Sequence, residues 1–261
     1  MKSRLDQAMF SRGLTNSRSE AENWIRLGSV TVDGRVVTRA GYFVDDSSRI
    51  ELQAKERFVS RAGLKLASVA GKFGVDFAGK IVLDVGSSTG GFTDYALQHG
   101  AAKVIAIDVG TDQLHPSLRD NSRVELHEKT DIRDVWLHQS ESDKTAQAAK
   151  NSVVTIDNYP DIVVIDVSFI SLREILPHIS RLMGADSLCL AMVKPQFEAG
   201  RQQLTKDGII KNDRIRREIL QEFEQWVKRN FLIIDKADSE VSGAHGNTER
   251  FYCLKKAILR M

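Results

Sequence analysis

From residue 60 onward, short apolar runs alternate with segments whose apolar residues recur at helical spacing. Strands are predicted at residues 80–86, 103–110, 123–128, 161–169, 187–194, 231–237 and 249–256, and helices at 60–70, 90–100, 171–183 and 213–230. Short apolar strands separated by helices are typical of a mainly parallel sheet with helices on both faces. The pattern therefore predicts an α/β, Rossmann-like fold with seven strands in its main sheet. The stretch from Leu137 to Tyr159 is polar and unpatterned, which favours an insertion.

The first 56 residues follow a different pattern. Leu5, Ala8 and Met9 have helical spacing, and a second short helix is predicted after them. The pair Asp33-Gly34 lies between alternating β-branched residues, which is a strong hairpin signal, and a further strand is predicted to follow. We therefore expect a small α+β domain at residues 1–56, a linker at 57–62 and the large domain at 63–261.

The composition limits the function classes without naming one. The chain of 261 residues is 42% hydrophobic and 28% charged, which is enough to bury a core without disulfides. No stretch approaches the roughly 18 apolar residues of a membrane span, and the charged N-terminal segment is unlike a signal peptide. We expect a cytoplasmic protein without membrane association. Cys189 and Cys253 lie in apolar runs without metal-ligand spacing, so we predict buried free thiols and no metal site.

Positive charge is concentrated near the two N-terminal helices, although the net charge of the chain is only +2. Arg4, Arg12, Arg18 and Arg26 could form one phosphate-facing surface, and a solvated helical face is the alternative. The pattern of residues 3–37, from SRLDQAMF to DGRVV, resembles the RNA-binding module shared by a small-subunit ribosomal protein, pseudouridine synthases and bacterial tyrosyl-tRNA synthetases. The resemblance implies that the four arginines lie against structured RNA.

Residues 82–92, VLDVGSSTGGF, have the composition of a ligand-binding loop. Small residues between a strand and a helix let a ligand approach the backbone, and ligands of open parallel sheets bind beyond the carboxyl ends of the strands. The glycine spacing does not fit G-x-G-x-x-G, and no G-K-[ST] follows, which excludes a P-loop. An acid in this motif opposes a pyrophosphate but suits a cationic amino-acid group, which favours S-adenosylmethionine. The candidate cofactor-binding residues here are Asp84, Gly86, Ser88, Gly90 and Phe92.

Two further acids follow the next strands. Asp108 closes the second strand, where a carboxylate can accept hydrogen bonds from both ribose hydroxyls. Asp131 follows the third strand, where it is placed to meet the adenine edge. Either acid alone is more often a helix cap or a turn residue. Together with Asp84 they place three acids at successive strand ends, which favours a cofactor site.

Lys194 ends the fifth strand and precedes Pro195, although an ammonium group is costly to desolvate. Methyl transfer to a hydroxyl needs a group that removes the hydroxyl proton. A lysine, with an ordinary pKa of about 10.4, needs its pKa lowered by about two to three units, through desolvation or a second cation such as Lys65. Asp166 closes the fourth strand and Glu249 begins the last, so two lysines and two acids are predicted to converge. The alternative for Lys194 is a snorkelling side chain at a strand end.

In order and motif context, Lys65, Asp166, Lys194 and Glu249 match the K-D-K-E tetrad of the FtsJ-like ribose 2'-O-methyltransferases. The segments SRAGLKL, DVGSSTGGFTD, DVSFISL, VKPQFEAGR and GNTERF, joined to the N-terminal module, resemble the TlyA family of ribosomal RNA 2'-O-methyltransferases, also named haemolysins. Ala62 stands where the family pattern has glycine. The resemblance implies a class I methyltransferase fold, S-adenosylmethionine as cofactor, and ribose methylation of a cytidine in ribosomal RNA or ribosomal subunits, without an obligate protein partner.

The resemblance also implies a role for each member of the tetrad. Lys194 would be the general base, Lys65 would stabilise the developing alkoxide, and Asp166 and Glu249 would orient the lysines. Two other function classes stay open at this point. A membrane-acting cytolysin is suggested by the haemolysin name, but the apolar stripe of residues 213–230 is better explained by packing on the sheet. A catalytically silent RNA-binding assembly factor would bind RNA without using S-adenosylmethionine.

Overall fold

The computed structural model describes residues 2–15, 18–26, 28–52, 58–138, 154–210, 212–241 and 247–257. The chain divides into two compact units, residues 1–61 and 62–261. The helix Arg61–Ala70 begins inside the predicted linker 57–62. The last two residues of that segment are therefore helical, as the predicted helix at 60–70 implies.

The first unit combines short helices with small antiparallel sheets. Its described elements are β1 (Ser3–Arg4), α1 (Leu5–Ser11), α2 (Arg18–Arg26), β2 (Val30–Val32), β3 (Arg35–Val36), β4 (Phe43–Val44) and β5 (Ile50–Leu52). Strand β2 pairs with β3 and β5, and β1 pairs with β4. The predicted hairpin is confirmed, since Asp33 and Gly34 have φ values of 51° and 78°, as a tight turn between twisted strands requires. The helices bury Leu5, Met9 and Ile25 completely.

The second unit alternates strands and helices. Its described helices are α3 (Arg61–Ala70), α4 (Gly91–Gln98), α5 (Pro116–Arg119), α6 (Leu172–Leu182), α7 (Pro195–Glu198) and α8 (Asp213–Val227). Its described strands are β6 (Ile81–Val85), β7 (Lys103–Ile107), β8 (Val124–His127), β9 (Val135–Leu137), β10 (Val154–Ile156), β11 (Ile162–Ile165), β12 (Leu188–Val193), β13 (Phe231–Asp238) and β14 (Arg250–Lys256). Short 3₁₀ turns span Ile132–Asp134 and Arg201–Gln203.

Seven of these strands form the main sheet, in the order β13-β14-β12-β11-β6-β7-β8. The strands from β12 to β8 run parallel, whereas β14 is antiparallel to both of its neighbours. The predicted mainly parallel sheet of seven strands is therefore confirmed. Parallel strands direct their carboxyl ends to one edge, and an antiparallel strand begins at that same edge. The loops after β6, β7, β8, β11 and β12 thus meet the start of β14.

Apolar side chains of α6 and α8 pack with the strands in one core. The predicted stripe of α8 is confirmed, because Ile219, Leu220, Phe223 and Val227 are each at most 1% exposed. Burial of each such side chain stabilises the fold by roughly 1.5–3 kcal/mol. The predicted free thiols are also confirmed, since Cys189 and Cys253 are both buried and unpaired. Burial raises the pKa of the Cys253 thiol to about 11, which keeps it protonated and unreactive at neutral pH.

The predicted insertion from Leu137 to Tyr159 contains regular structure at its ends. Residues 139–153 lie outside the described residues. Strands β9 and β10 flank them and pair in parallel, with Val135 opposite Val154. The segment therefore includes the last residue of β9 and the whole of β10, two strands that the sequence pattern did not predict. Strands of three residues are too short to show a periodic pattern in the sequence.

A buried carboxylate connects the elements of the first unit. Asp6, fully buried in α1, accepts hydrogen bonds of 2.9 Å from Arg4 Nε and from Arg18. Burial by itself raises the pKa of Asp6, but hydrogen bonds from the two guanidinium groups outweigh burial and hold this pKa below its ordinary value. The Asp6 carboxylate therefore stays charged and ties β1 and α2 to α1.

Replacing Asp6 with alanine should lower the free energy of unfolding of the first unit by about 2 kcal/mol, because charge-assisted hydrogen bonds are lost. The contribution of Asp6 is present above the pKa of the unfolded carboxyl, about 4, and disappears as the pH falls through the lower folded pKa. Amide hydrogen exchange of residues 3–50 in the full chain measures the effect. As a control, Glu51→Ala removes an exposed ion pair with Arg49 and should change exchange much less. Equal effects of the two substitutions would contradict this prediction.

Candidate active site

The loop between β6 and α4 exposes backbone at the carboxyl edge of the sheet. Gly86 has a φ of 82°, and a Cβ at this position would lie 2.7 Å from the carbonyl oxygen of Asp166. Gly90 has a φ of 94° at the start of α4, and a Cβ there would collide with Leu118. Ser88, between the two glycines, also has a positive φ, of 45°. The positive φ at both positions, and the close approach of the Asp166 carbonyl at Gly86, require glycine and let the loop pack closely against its neighbours.

Asp84 is fully buried beneath this loop. Its Oδ2 accepts a 2.6 Å hydrogen bond from Thr93, whereas its Oδ1 is buried and has no hydrogen-bond partner among the described residues. Burial raises the pKa of Asp84 to about 7. Phe92 is also buried, and its ring packs against that of Phe251 with centroids 6.0 Å apart. A buried carboxylate with one unused acceptor atom is suited to a cationic ligand group.

The other two predicted cofactor acids already have partners in the fold. The two oxygens of Asp108 accept hydrogen bonds of 2.7 Å from the N–H groups of Ser88 and Gly110. Each oxygen keeps a second lone pair, so Asp108 can still accept hydrogen bonds from a diol. Asp131 forms a 2.7 Å ion pair with Arg133, which the sequence did not indicate. Arg133 therefore compensates the charge of Asp131 before any ligand is bound.

A cavity of about 370 Å³ opens at this edge of the sheet. Its lining includes Gly86, Ser88, Asp108, Asp131 and Phe169. A second cavity, of about 140 Å³, is lined by residues that include Asp84, Phe92, Ser168 and Lys194. Gly86, Ser88, Asp166 and Ser168 line both cavities, which are therefore adjacent. The larger volume suits a small organic cofactor, and the smaller one adjoins the charged residues described next.

Four charged side chains form two ion pairs at this edge. Lys194 Nζ lies 2.7 Å from Asp166 Oδ1 and donates a hydrogen bond of 2.7 Å to Ser168 Oγ. Lys65 Nζ lies 2.6 Å from Glu249 Oε2, and these two side chains are only 11% and 3% exposed. Each lysine is thus paired with one of the two predicted acids, and an action of Lys65 on Lys194 as a second cation stays a prediction.

Strand order brings the four residues together. The last residue of β12 lies opposite the first residue of β14, so Lys194 and Glu249 lie side by side. Asp166 directly follows β11, which is the other neighbour of β12. Lys65 reaches Glu249 from α3. The structure thus gathers all members of the predicted tetrad, whose catalytic roles stay a prediction.

Aromatic side chains beside Lys194 were not identified from the sequence. Phe169 is 90% exposed at a φ of 65°, and its ring centroid lies 5.2 Å from that of Phe197. Lys194 Nζ lies 5.9 Å from the centroid of Phe197, within range of a cation–π interaction. A bulky residue at positive φ is strained, and such strain is concentrated at functional sites. In the sequence, Phe169 and Phe197 each follow a tetrad residue by three positions, and this spacing is the one feature that could have indicated them.

Glu198 connects the loop after β11 to the turn after β12. Its carboxylate is 2% exposed and accepts hydrogen bonds from Ser171 Oγ at 2.6 Å and from the N–H of Leu172 at 2.7 Å. Burial raises the pKa of Glu198, although these hydrogen bonds oppose the shift. Helix α7 begins directly after Lys194 and ends at Glu198. The hydrogen bonds of Glu198 therefore hold the turn that bears Lys194 against the loop after β11.

The four arginines predicted to bind RNA belong to the first unit. Arg4 and Arg18 contact Asp6, yet 43% and 49% of their side chains remain exposed. Arg12 donates hydrogen bonds of 2.7 Å to two backbone carbonyls. The side chain of Arg26 lies outside the described residues. The described arginines therefore support the fold of this unit, and their contact with RNA stays a prediction.

Across the described ranges, no group of three or more His, Cys, Asp or Glu residues is arranged to hold a metal ion. Within those ranges, no helix combines the length and the apolar character needed to cross a bilayer.

Known protein families match both units. The model of the FtsJ-like methyltransferase family matches residues 58–256, and the model of the S4 domain matches residues 3–50. Hemolysin A of Brachyspira hyodysenteriae is 38% identical over 247 residues, which cover 94% of this chain and 97% of that protein. The 16S/23S rRNA (cytidine-2'-O)-methyltransferase TlyA of Mycobacterium tuberculosis is 33% identical over 257 residues, which cover 97% of this chain and 90% of that protein.

A solved structure agrees with these matches. A protein from Streptococcus thermophilus, described as a hemolysin, has a TM-score of 0.66 and 35% identity, covering 98% of this chain and 89% of its own. The methyltransferase model spans well over half of the chain, and the matches to both relatives extend over nearly all of it. The chain therefore belongs to the TlyA/hemolysin-like family of rRNA methyltransferases, which combine an FtsJ-like methyltransferase domain with an S4 domain.

Proposed function

We propose that this protein transfers a methyl group from S-adenosylmethionine to the ribose 2'-hydroxyl of a cytidine in ribosomal RNA. The two lysine–acid ion pairs at the carboxyl edge of the sheet carry this proposal, because one lysine can accept a proton in its neutral form and the other, in its charged form, can stabilise negative charge. Membership of the methyltransferase family supports the reaction class. The name of the Mycobacterium tuberculosis relative supports cytidine in ribosomal RNA as the substrate.

The residues that line the two cavities fit S-adenosylmethionine. Oδ1 of Asp84, buried without a partner in the described part of the chain, would accept a hydrogen bond from its ammonium group. Asp108 would accept hydrogen bonds from its ribose hydroxyls, and Asp131 would meet its adenine edge. Gly86 packs against the backbone of Asp166 and lines both cavities. When bound, this cofactor supplies an electrophilic methyl group.

The two ion pairs suggest a division of roles. Lys194 Nζ, after its own ammonium proton has passed to solvent, would accept the proton of the ribose 2'-hydroxyl and release it to solvent once the methyl group has been transferred. Asp166, at 2.7 Å, would hold this amine in place. Lys65 would stabilise the negative charge that develops on the ribose oxygen, and Glu249 would orient Lys65. Since each lysine has its own acid, the two lysines can perform different tasks.

Features of both units fit an RNA substrate. Arg4 and Arg18 expose about half of their side chains while bound to Asp6, so they can also contact phosphates, as would Arg12 and Arg26. In the catalytic unit, the exposed ring of Phe169 offers a face on which an unstacked base can lie. The buried stripe of α8, by contrast, leaves its apolar residues unavailable to a membrane.

Lys194→Ala should reduce methyl transfer at least about 100-fold while cofactor binding persists, because the proton acceptor is lost and the cofactor contacts remain. Transfer of a radiolabelled methyl group to small or large ribosomal subunits that lack the modification measures activity, and calorimetry measures binding. Lys72→Ala removes an exposed ion pair with Glu240 and should retain full activity. Wild-type rates in the Lys194 variant would overturn the assignment of the base.

In the absence of cofactor, the free energy of unfolding of the Asp84→Asn variant should increase relative to that of the wild type as pH rises from about 5 to about 8. The pKa of Asp84 is raised to about 7 in the folded state and is near 4 in the unfolded state. The stabilising contribution of the Asp84 carboxyl is therefore complete below about pH 4 and is lost as pH rises through about 7. Asparagine stays neutral and still accepts from Thr93. The difference in the free energy of unfolding should grow by on the order of 1.4 kcal/mol per unit of the pKa shift.

Urea titrations of both proteins at several pH values measure this difference. A difference independent of pH would show that Asp84 does not titrate in this range. With S-adenosylmethionine present, the trend should weaken in the wild type, because an ammonium group beside Asp84 favours the charged carboxylate. The variant should also bind the cofactor more weakly at pH 8.

A further inference from the structure

Two oxygen atoms lie close to the Lys194 amine. Its Nζ forms an ion pair of 2.7 Å with Asp166 Oδ1 and donates a hydrogen bond of 2.7 Å to Ser168 Oγ. The centroid of the Phe197 ring is farther away, at 5.9 Å from Nζ. Ser168 lines both cavities, as Asp166 does, so its hydroxyl lies where the cofactor and the substrate would meet.

The number of acceptors matters once Lys194 has lost its proton. A neutral amine has two hydrogens and one lone pair, and a hydrogen bond to a single acceptor leaves two possible directions for the lone pair. When the neutral amine donates one hydrogen to each of the two oxygens, its lone pair takes the one remaining tetrahedral direction. Asp166 alone would leave that direction undefined, whereas Asp166 and Ser168 together define it.

We propose that Ser168 is a positioning residue that, with Asp166, aims the lone pair of Lys194 at the ribose hydroxyl. The inference rests on the proposed function of Lys194 as the base and adds a residue outside the predicted tetrad. Alignment of reacting groups contributes strongly to rate, so loss of this hydrogen bond slows proton removal without removing the base.

The surroundings of Ser168 indicate a functional role rather than a structural one. The side chain is exposed, and its hydrogen bond with Lys194 is the one it makes within the described part of the chain. Removing the hydroxyl therefore removes little that stabilises the fold. The next residue, Phe169, has a strained φ of 65°, and the loop is held from its far end by Glu198 through Ser171 and Leu172. A strained loop that is fixed against the turn bearing Lys194 can present a hydroxyl at a constant position.

Single-turnover and steady-state methylation of unmodified ribosomal subunits, with S-adenosylmethionine as donor, test the proposal. Ser168→Ala should lower kcat and the single-turnover rate by about tenfold or more, while KM for subunits and Kd for the cofactor stay within about twofold. Ser168→Thr keeps a hydroxyl on an exposed position and should restore most of the rate. Ser180→Ala, which removes an exposed hydroxyl bonded to Pro177, is the matched control and should behave as wild type.

Each outcome decides between explanations. A wild-type rate in Ser168→Ala, or equal loss in the alanine and threonine variants, would overturn the positioning role. A rise in KM at unchanged kcat would show that Ser168 binds RNA instead, which also contradicts the proposal. Lys194→Ala is measured in parallel. Activity in that variant would overturn the proposed base, and the role of Ser168 with it, whereas an inactive Lys194 variant beside a fully active Ser168→Ala would overturn only the role of Ser168.

Discussion

Two lysines can occupy the carboxyl edge of this sheet because each is paired with an acid. The side chains of Lys65 and Glu249 are almost fully desolvated, and those of Lys194 and Asp166 are 10% and 15% exposed. An unpaired charge in such surroundings would be strongly destabilising, and even a paired one adds little net stability compared with well-packed apolar side chains. The pairs are therefore better explained by the chemistry that they make available than by stabilisation of the fold.

The direction of one strand makes this pairing possible. Strand β14 runs antiparallel to β12, so it begins at the edge where β12 ends, and Glu249 lies directly before it. In a fully parallel sheet the start of that strand, and Glu249 with it, would lie at the opposite edge. Lys65 on α3 would then lose its acid, while Asp166 would still reach Lys194. The reversed strand is thus as much a part of the site as the residues themselves.

Charged side chains also organise the first unit. The same arginines that stabilise its fold are proposed to bind RNA. Asp6 holds Arg4 and Arg18 through its buried carboxylate, and both guanidinium groups remain about half exposed. A guanidinium group has five N–H donors, so one face can bind the carboxylate while another is free for a phosphate. Fixing the arginines in advance reduces the entropy lost when RNA binds.

The sequence alone determined the elements of the catalytic unit and the residues at the ends of its strands. Hydrophobic period and short glycine-rich motifs are local features, so they located all seven strands of the main sheet and the acids and lysines that follow them. The tertiary structure decided which charges meet. Lys194 pairs with Asp166 and Lys65 with Glu249, because strand order and direction bring together partners that lie far apart in the chain.

Side-chain positions also decide other features that sequence patterns did not reveal. No periodic pattern in the sequence encodes the contacts of Arg133 with Asp131, of Ser168 with Lys194 and of Glu198 with Ser171. Strands β9 and β10 are too short to carry a pattern of their own and exist because they pair with each other. Local sequence motifs thus determine which residues lie at the site, and tertiary packing determines which partners each of them contacts.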